Sequence, residues 1–264
     1  MKHIRFLPFI ALILLFISCN SSTVTTQPTP TTTSVARVTP TPTVPTVTPT
    51  PTFPTVPNQI VHFKTEDDMT LTGILYGTGK TGIICSHELH ANKDIWSTNG
   101  FAQRIAAKGY MVLAYDFRGN GDSEGKGNPT KNETDLRAAV SFMRQQNVSS
   151  IVLIGSSMGG TATLKVAAHD KMTAIITLSA PQNFGSMVSD DEVRAIQAPK
   201  LFINSEDDRF SQETIHMADI ASQPKDIHLY PGRLHGVALF DSEYDADVMQ
   251  RIQNFLARYA PVNQ

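Results

Sequence analysis

The chain has no apolar run long enough to cross a membrane. The longest, Phe6 to Ile17, is about a dozen residues against the ~20 that a spanning helix needs. It has no excess of either charge: 22 Lys and Arg stand against 24 Asp and Glu, interspersed, for a net charge of −2. Without a basic stripe, nucleic acid is not an expected partner. It is also poor in cysteine, with only two, Cys19 and Cys85. From Asn20 to Pro57 it lacks the material for a core, being nearly all Thr, Pro, Val and Ser, with Arg37 the one basic residue. Such a stretch favours extended, solvated backbone.

What is present at the N-terminus suits export. Lys2-His3-Ile4-Arg5 is a basic start, the apolar run has the length of a signal-peptide core, and Phe16-Ile17-Ser18-Cys19 closes it. That closure resembles a bacterial lipobox, with Phe16 where Leu is usual. The resemblance implies cleavage before Cys19, a lipid on its sulfur, and an extracytoplasmic domain tethered to a membrane it does not span. The alternatives are an ordinary secretory signal cut nearby, which would give a secreted protein, and an uncleaved anchor. The expected division is a signal over 1–18, a lipidated Cys19 with a Thr/Pro linker over 19–57, and a folded domain over 58–264. At ~3.1 Å per residue the extended linker would reach roughly 100 Å. With Cys19 consumed, Cys85 has no disulfide partner, and its apolar surroundings suit a small hydrophobe.

From residue 58 onward, strand and helix patterns alternate. Apolar runs at Thr81–Ser86, Tyr110–Tyr115, Ile151–Ser156, Ala174–Leu178 and Lys200–Asn204 read as strands buried on both faces. Ile60–Lys64 and Leu71–Tyr76 read as a hairpin, and Asp226–Leu229 as a last strand. Helical spacing is expected over Ile95–Lys108, Thr134–Gln146, Met158–His169, Ser211–Ala221 and Asp245–Tyr259. This is the pattern of an α/β fold, a mostly parallel sheet of about eight strands with helices on both faces.

The chemistry centres on Gly155-Ser156-Ser157-Met158-Gly159. Gly-x-Ser-x-Gly between a buried strand and a helix resembles the nucleophile elbow of the α/β-hydrolases. The elbow glycines, Gly155 and Gly159, leave room for strand and helix to pass closely, and the Met158 N–H opens the helix toward a developing oxyanion. The run Asp116-Phe117-Arg118-Gly119-Asn120-Gly121-Asp122-Ser123 is similar to a pattern that recurs in the same family, and Arg118 and Asp116 are expected to fix its glycine-rich turn. Neither a Walker lysine nor dinucleotide spacing accompanies these glycines, so no phosphate cofactor is expected.

The resemblance implies a carboxylate after the strand Leu201–Asn204, and counting from Ser205 favours Asp208, with Asp207 as rival. It implies a histidine after the last strand, and Pro231-Gly232-Arg233-Leu234-His235-Gly236 supplies His235. The order Ser157, Asp208, His235 is that of the family. His87-Glu88-Leu89 is similar to the Gln-Glu-Ile of dienelactone hydrolase-like members, which makes the Leu89 backbone the second oxyanion donor. His87 and His90 without a third ligand do not make a metal site.

These residues imply a serine hydrolase acting on small or polymer-attached carboxylic esters, without cofactor, as a monomer. Ser179 to Pro199 is too short for a helical cap, and Leu89, Trp96, Pro181, Phe184, Met187, Phe210 and Leu234 are candidates for an apolar mouth. The alternatives are an acyltransferase using the same triad and a non-catalytic surface binding module on a hydrolase scaffold.

Overall fold

The computed structural model describes residues 52–262. The expectations for the signal segment, Cys19 and most of the linker lie outside the described residues.

In chain order the strands and helices are β1 (Asn58–Lys64), β2 (Thr70–Tyr76), β3 (Thr81–Ser86), α1 (Ile95–Thr98), α2 (Phe101–Ala106), β4 (Met111–Tyr115), α3 (Asn132–Gln145), β5 (Ser150–Ser156), α4 (Met158–His169), β6 (Ala174–Leu178), β7 (Asn183–Phe184), β8 (Ser186–Met187), α5 (Asp190–Ala195), β9 (Lys200–Ser205), α6 (Ser211–Ile220), β10 (Lys225–Tyr230) and α7 (Asp245–Tyr259). Eight strands form one sheet in the order β1-β2-β4-β3-β5-β6-β9-β10. β2 runs antiparallel to both its neighbours, and β4, β3, β5, β6, β9 and β10 are mutually parallel.

Strand side chains alternate between two cores, as a period of two requires. Leu113, Leu153, Ile175 and Phe202 pack with Leu136 and Met143 of α3, Leu164 and Val166 of α4, and Met217 of α6. Their neighbours Val112, Val152, Ile154, Ile176 and Ile203 pack with Trp96, Phe101, Ile105 and the α7 residues Ile252 and Phe255. Both faces of the sheet are therefore covered by helices. Cys85 is wholly buried in β3, and burial pushes its thiol far above the usual range, so it is a packed hydrophobe.

Three features differ from the expected pattern. The single helix over Ile95–Lys108 is two, because Gly100 between α1 and α2 has φ +73°, where a helix cannot continue. A Cβ there would lie 2.2 Å from the Phe53 ring, so only glycine admits that ring. Phe53 also lies under the Arg104 guanidinium, 5.7 Å from the ring centre, and Gly77 N–H donates to Pro57 C=O at 2.9 Å. The last linker residues are thus seated on the domain ahead of residue 58. Trp96 is fully buried against Phe101 and Phe240, so it belongs to the core and not to a mouth. Finally, the segment between β6 and β9 holds the β7–β8 hairpin, turning at Gly185 with φ +76°, and the short α5. Among the described residues it forms no cap.

Lys200, at the start of β9, is fully buried and among the described residues has no carboxylate partner; its Nζ donates to the Ser222 carbonyl at 2.8 Å. Burial, with repulsion from Lys225, pushes its pKa down from 10.5 to about 8. Between pH 8 and 10.5 the unfolded chain therefore holds more proton at this site than the folded one, so stability rises with pH across that window. Thermal melts of wild type and Lys200→Met should show the difference in Tm moving in favour of wild type from pH 8 to pH 10.5. A pH-independent difference would contradict the shift.

Candidate active site

The central strands β3, β5, β6 and β9 end along one edge of the sheet, and the candidate residues follow those ends. Ser157 turns directly from β5 into α4 with φ 47° and ψ −114°. A non-glycine backbone held there costs about 1–3 kcal/mol and is found at sites that use it. The turn is possible because of its glycines: a Cβ on Gly155 would lie 2.2 Å from the Gly159 carbonyl oxygen, and one on Gly159 would lie 2.3 Å from that of Ser86. Ser157 N–H donates to Leu178 C=O at 2.8 Å, which fastens the elbow to β6.

Asp208 follows β9 and His235 follows β10. Their side chains meet, with His235 Nδ1 2.7 Å from Asp208 Oδ2, the carboxylate 3% and the imidazole 28% exposed. The other carboxylate oxygen accepts Phe210 N–H at 2.8 Å, so the acid is held from two sides. The Phe210 ring centre lies 5.8 Å from the imidazole. Asp207 is exposed and takes part through its backbone, donating N–H to Gly232 C=O at 2.8 Å. The other downstream histidines are otherwise engaged: His216 pairs with Asp190 at 3.0 Å, and His228 packs edge-on against Tyr230.

The elbow and the histidine loop touch. A Cβ on Gly236 would lie 2.2 Å from Ser156 Oγ, and Glu88 Oε2 accepts from both Ser156 Oγ at 2.6 Å and Val237 N–H at 3.3 Å. Among the described residues, the Ser157 hydroxyl makes no hydrogen bond. The N–H groups of Leu89 and Met158 are likewise without a partner among the described residues. Met158 is the first residue of α4 and has no intrahelical acceptor.

The loop bearing Leu89 is anchored by His87, which is wholly buried. Its Nδ1 donates to Glu88 C=O at 2.8 Å and its Nε2 accepts Phe117 N–H at 3.1 Å, which fixes the tautomer. Burial pushes its pKa down, so the ring is neutral, with both nitrogens occupied. His90 is exposed on the same loop.

The Asp116–Ser123 turn behaves as a scaffold. Asp116 accepts from Lys93 Nζ at 2.9 Å and from Asp122 N–H at 2.9 Å, and Ser123 Oγ donates to Asp116 C=O at 2.7 Å. Arg118 forks onto Asp67, both bonds at 2.8 Å, and reaches Asp135 at 2.6 Å. Ser179 and Lys93 carry no signal in the sequence, and Glu88 carries one only through the likeness of His87-Glu88-Leu89 to Gln-Glu-Ile.

A family model described as alpha/beta hydrolase fold matches residues 82–238, which contain Leu89, Ser157, Asp208 and His235. The chain belongs to the alpha/beta hydrolases. Among solved structures, the chain superposes on the Pyrococcus furiosus esterase Pf2001 with a TM-score of 0.68, 19% identity, and 77% of this chain on 93% of the other. It superposes on the esterase domain of a Rhodothermus marinus protein with a TM-score of 0.63, 22% identity, and coverage of 77% and 99%. Among curated proteins, it is 32% identical over 106 residues to the quorum-quenching protein AidA of Acinetobacter baumannii, covering 38% of this chain and 34% of the relative. It is 31% identical over 133 residues to polyketide transferase ATR5 of Stachybotrys chlorohalonatus, covering 46% and 43%. The chain thus spans well under two thirds of the length of these curated relatives.

Proposed function

We propose that this hydrolase cleaves carboxylic esters through Ser157, His235 and Asp208. The observation that carries the reading is the 2.7 Å contact between Asp208 and the His235 imidazole, on a loop that packs against the strained elbow. In this scheme His235 Nε2 takes the proton of Ser157 as Oγ attacks the ester carbonyl. Asp208 holds the Nδ1–H and stabilises the imidazolium without taking its proton. The N–H groups of Leu89 and Met158 receive the oxyanion. His235 then protonates the departing alcohol, and the acyl group stays on Ser157. Water, deprotonated by the same imidazole, attacks that acyl group, and His235 returns the proton to Ser157 as the acid leaves.

Esterases among the structural neighbours agree with this chemistry, and the name of one relative, a polyketide transferase, keeps acyl transfer in view. The first half-reaction is common to both. A series of p-nitrophenyl esters of increasing acyl length, with and without competing alcohols, separates them. Saturable release of p-nitrophenol and free acid is the expected result. Predominant transesterification would assign transfer, and no turnover at any length would favour a binding module.

We further infer an extracytoplasmic domain held at a membrane by lipid on Cys19, supported by the apolar run and the Ser18-Cys19 pair. Expressed in a bacterium fed labelled palmitate, the wild-type protein should take up the label and the Cys19→Ala form should not; an unlabelled wild type would contradict lipidation.

A further inference from the structure

Backbone groups on both sides of His235 are held by side chains from three separate elements. Leu234 C=O accepts from Ser205 Oγ at 2.7 Å, Gly236 N–H donates to Ser179 Oγ at 2.9 Å, and Val237 N–H donates to Glu88 Oε2 at 3.3 Å. Ser205 ends β9, Ser179 directly follows β6, and Glu88 lies just beyond β3. All three therefore project from the edge of the sheet that carries Ser157.

Two of these holders are built at a cost. Ser179 is fully buried and has φ +50°, a conformation that side chains other than hydrogen rarely adopt. In that conformation its hydroxyl donates to Asn204 Oδ1 at 2.6 Å, which leaves its lone pairs to receive Gly236 N–H. Asn204 is fixed in turn by donating to Thr214 Oγ1 at 2.9 Å. Glu88, a carboxylate, is spent on a serine hydroxyl and an amide, and among the described residues no cation pairs with it. Because the hydroxyl it accepts belongs to Ser156, the same carboxylate joins the elbow to the histidine loop. Gly236, with φ +56°, lets the loop descend onto this bond, since a Cβ there would lie 2.2 Å from both Glu88 Oε2 and Ser156 Oγ.

We propose that Ser179 and Glu88 are positioning residues, which with Ser205 clamp the backbone around His235 and fix its imidazole relative to Ser157. The inference rests on the serine-hydrolase reading. Neither residue touches the reacting atoms; each acts through the placement of His235. Displacement of a catalytic group by a fraction of an ångström lowers turnover while leaving substrate binding largely intact.

The test compares kcat, KM and Tm on a p-nitrophenyl ester for Ser179→Ala, Ser179→Gly, Glu88→Gln and Glu88→Ala. Both Ser179 variants lose the acceptor for Gly236 N–H, but glycine also relieves the strained backbone. Their kcat should fall alike, by about tenfold or more, with KM within about twofold, while Ser179→Gly melts above Ser179→Ala. Glu88→Gln keeps an acceptor and should retain most of the activity that Glu88→Ala loses. Amide exchange at Gly236 and Val237 should quicken in Ser179→Ala and Glu88→Ala respectively, a readout independent of turnover. If kcat follows Tm across the four variants, or if Ser179→Gly recovers activity along with stability, the two residues are merely structural and the proposal fails. Wild-type kcat in all four variants, with Ser157→Ala inactive, would overturn the clamp alone. Loss of no activity on Ser157→Ala would overturn the serine-hydrolase reading itself, and the clamp with it.

Discussion

Ser157→Ala is expected to lower kcat for ester hydrolysis by about a million-fold, because removing the nucleophile of such a triad disables the whole unit. The fold should be unaffected. The hydroxyl that is lost makes no hydrogen bond among the described residues, and the bonds that shape the elbow are made by the Ser157 backbone. Stability should therefore stay within about 0.5 kcal/mol of wild type. Ser157→Gly, which also frees the φ of 47°, should be equally inactive and more stable by about 1 kcal/mol. Steady-state rates and thermal melts of the three proteins check both statements. Turnover retained in Ser157→Ala would remove the serine from the reaction.

Asp208→Asn should cost about 10⁴-fold in kcat with little change in fold. The amide can still meet His235 Nδ1, but if it donates its own N–H it selects the tautomer in which Nε2 carries the proton and cannot act as base. Asp207→Asn, one residue away, should remain within about threefold of wild type. Asp207 is exposed, and its contribution, the N–H given to Gly232, survives the substitution. The reverse ranking of the two variants would reassign the acid to Asp207.

Much of this architecture could be read before any coordinates. β3, β4, β5, β6 and β9 are buried on both faces, and such strands announce themselves as unbroken apolar runs. The elbow was legible because its constraint is local: two glycines must flank a serine at the end of a strand. The break at Gly100 was not, because it depends on Phe53 arriving from the linker, which no helical periodicity encodes. Trp96 was misplaced for a related reason. An aromatic beside a loop suits a mouth or a core equally, and only Phe101 and Phe240 decide it. The β7–β8 hairpin is too short to leave a pattern of two. Lys200 reads as a surface charge until the loop at Ser222 and Pro224 covers its amine, and Ser179 is indistinguishable from any serine at the end of a strand. Their roles come from partners brought together by the sheet order.

The central claim is that Ser157 is a nucleophile driven by His235 and Asp208, and covalent trapping tests it most directly. After treatment with a fluorophosphonate, the intact mass should rise by one phosphonyl adduct, and peptide sequencing should place that adduct on Ser157. Labelling should be abolished in Ser157→Ala and slowed by orders of magnitude in Asp208→Asn. An unmodified wild-type protein, or an adduct on the neighbouring Ser156, would contradict the account.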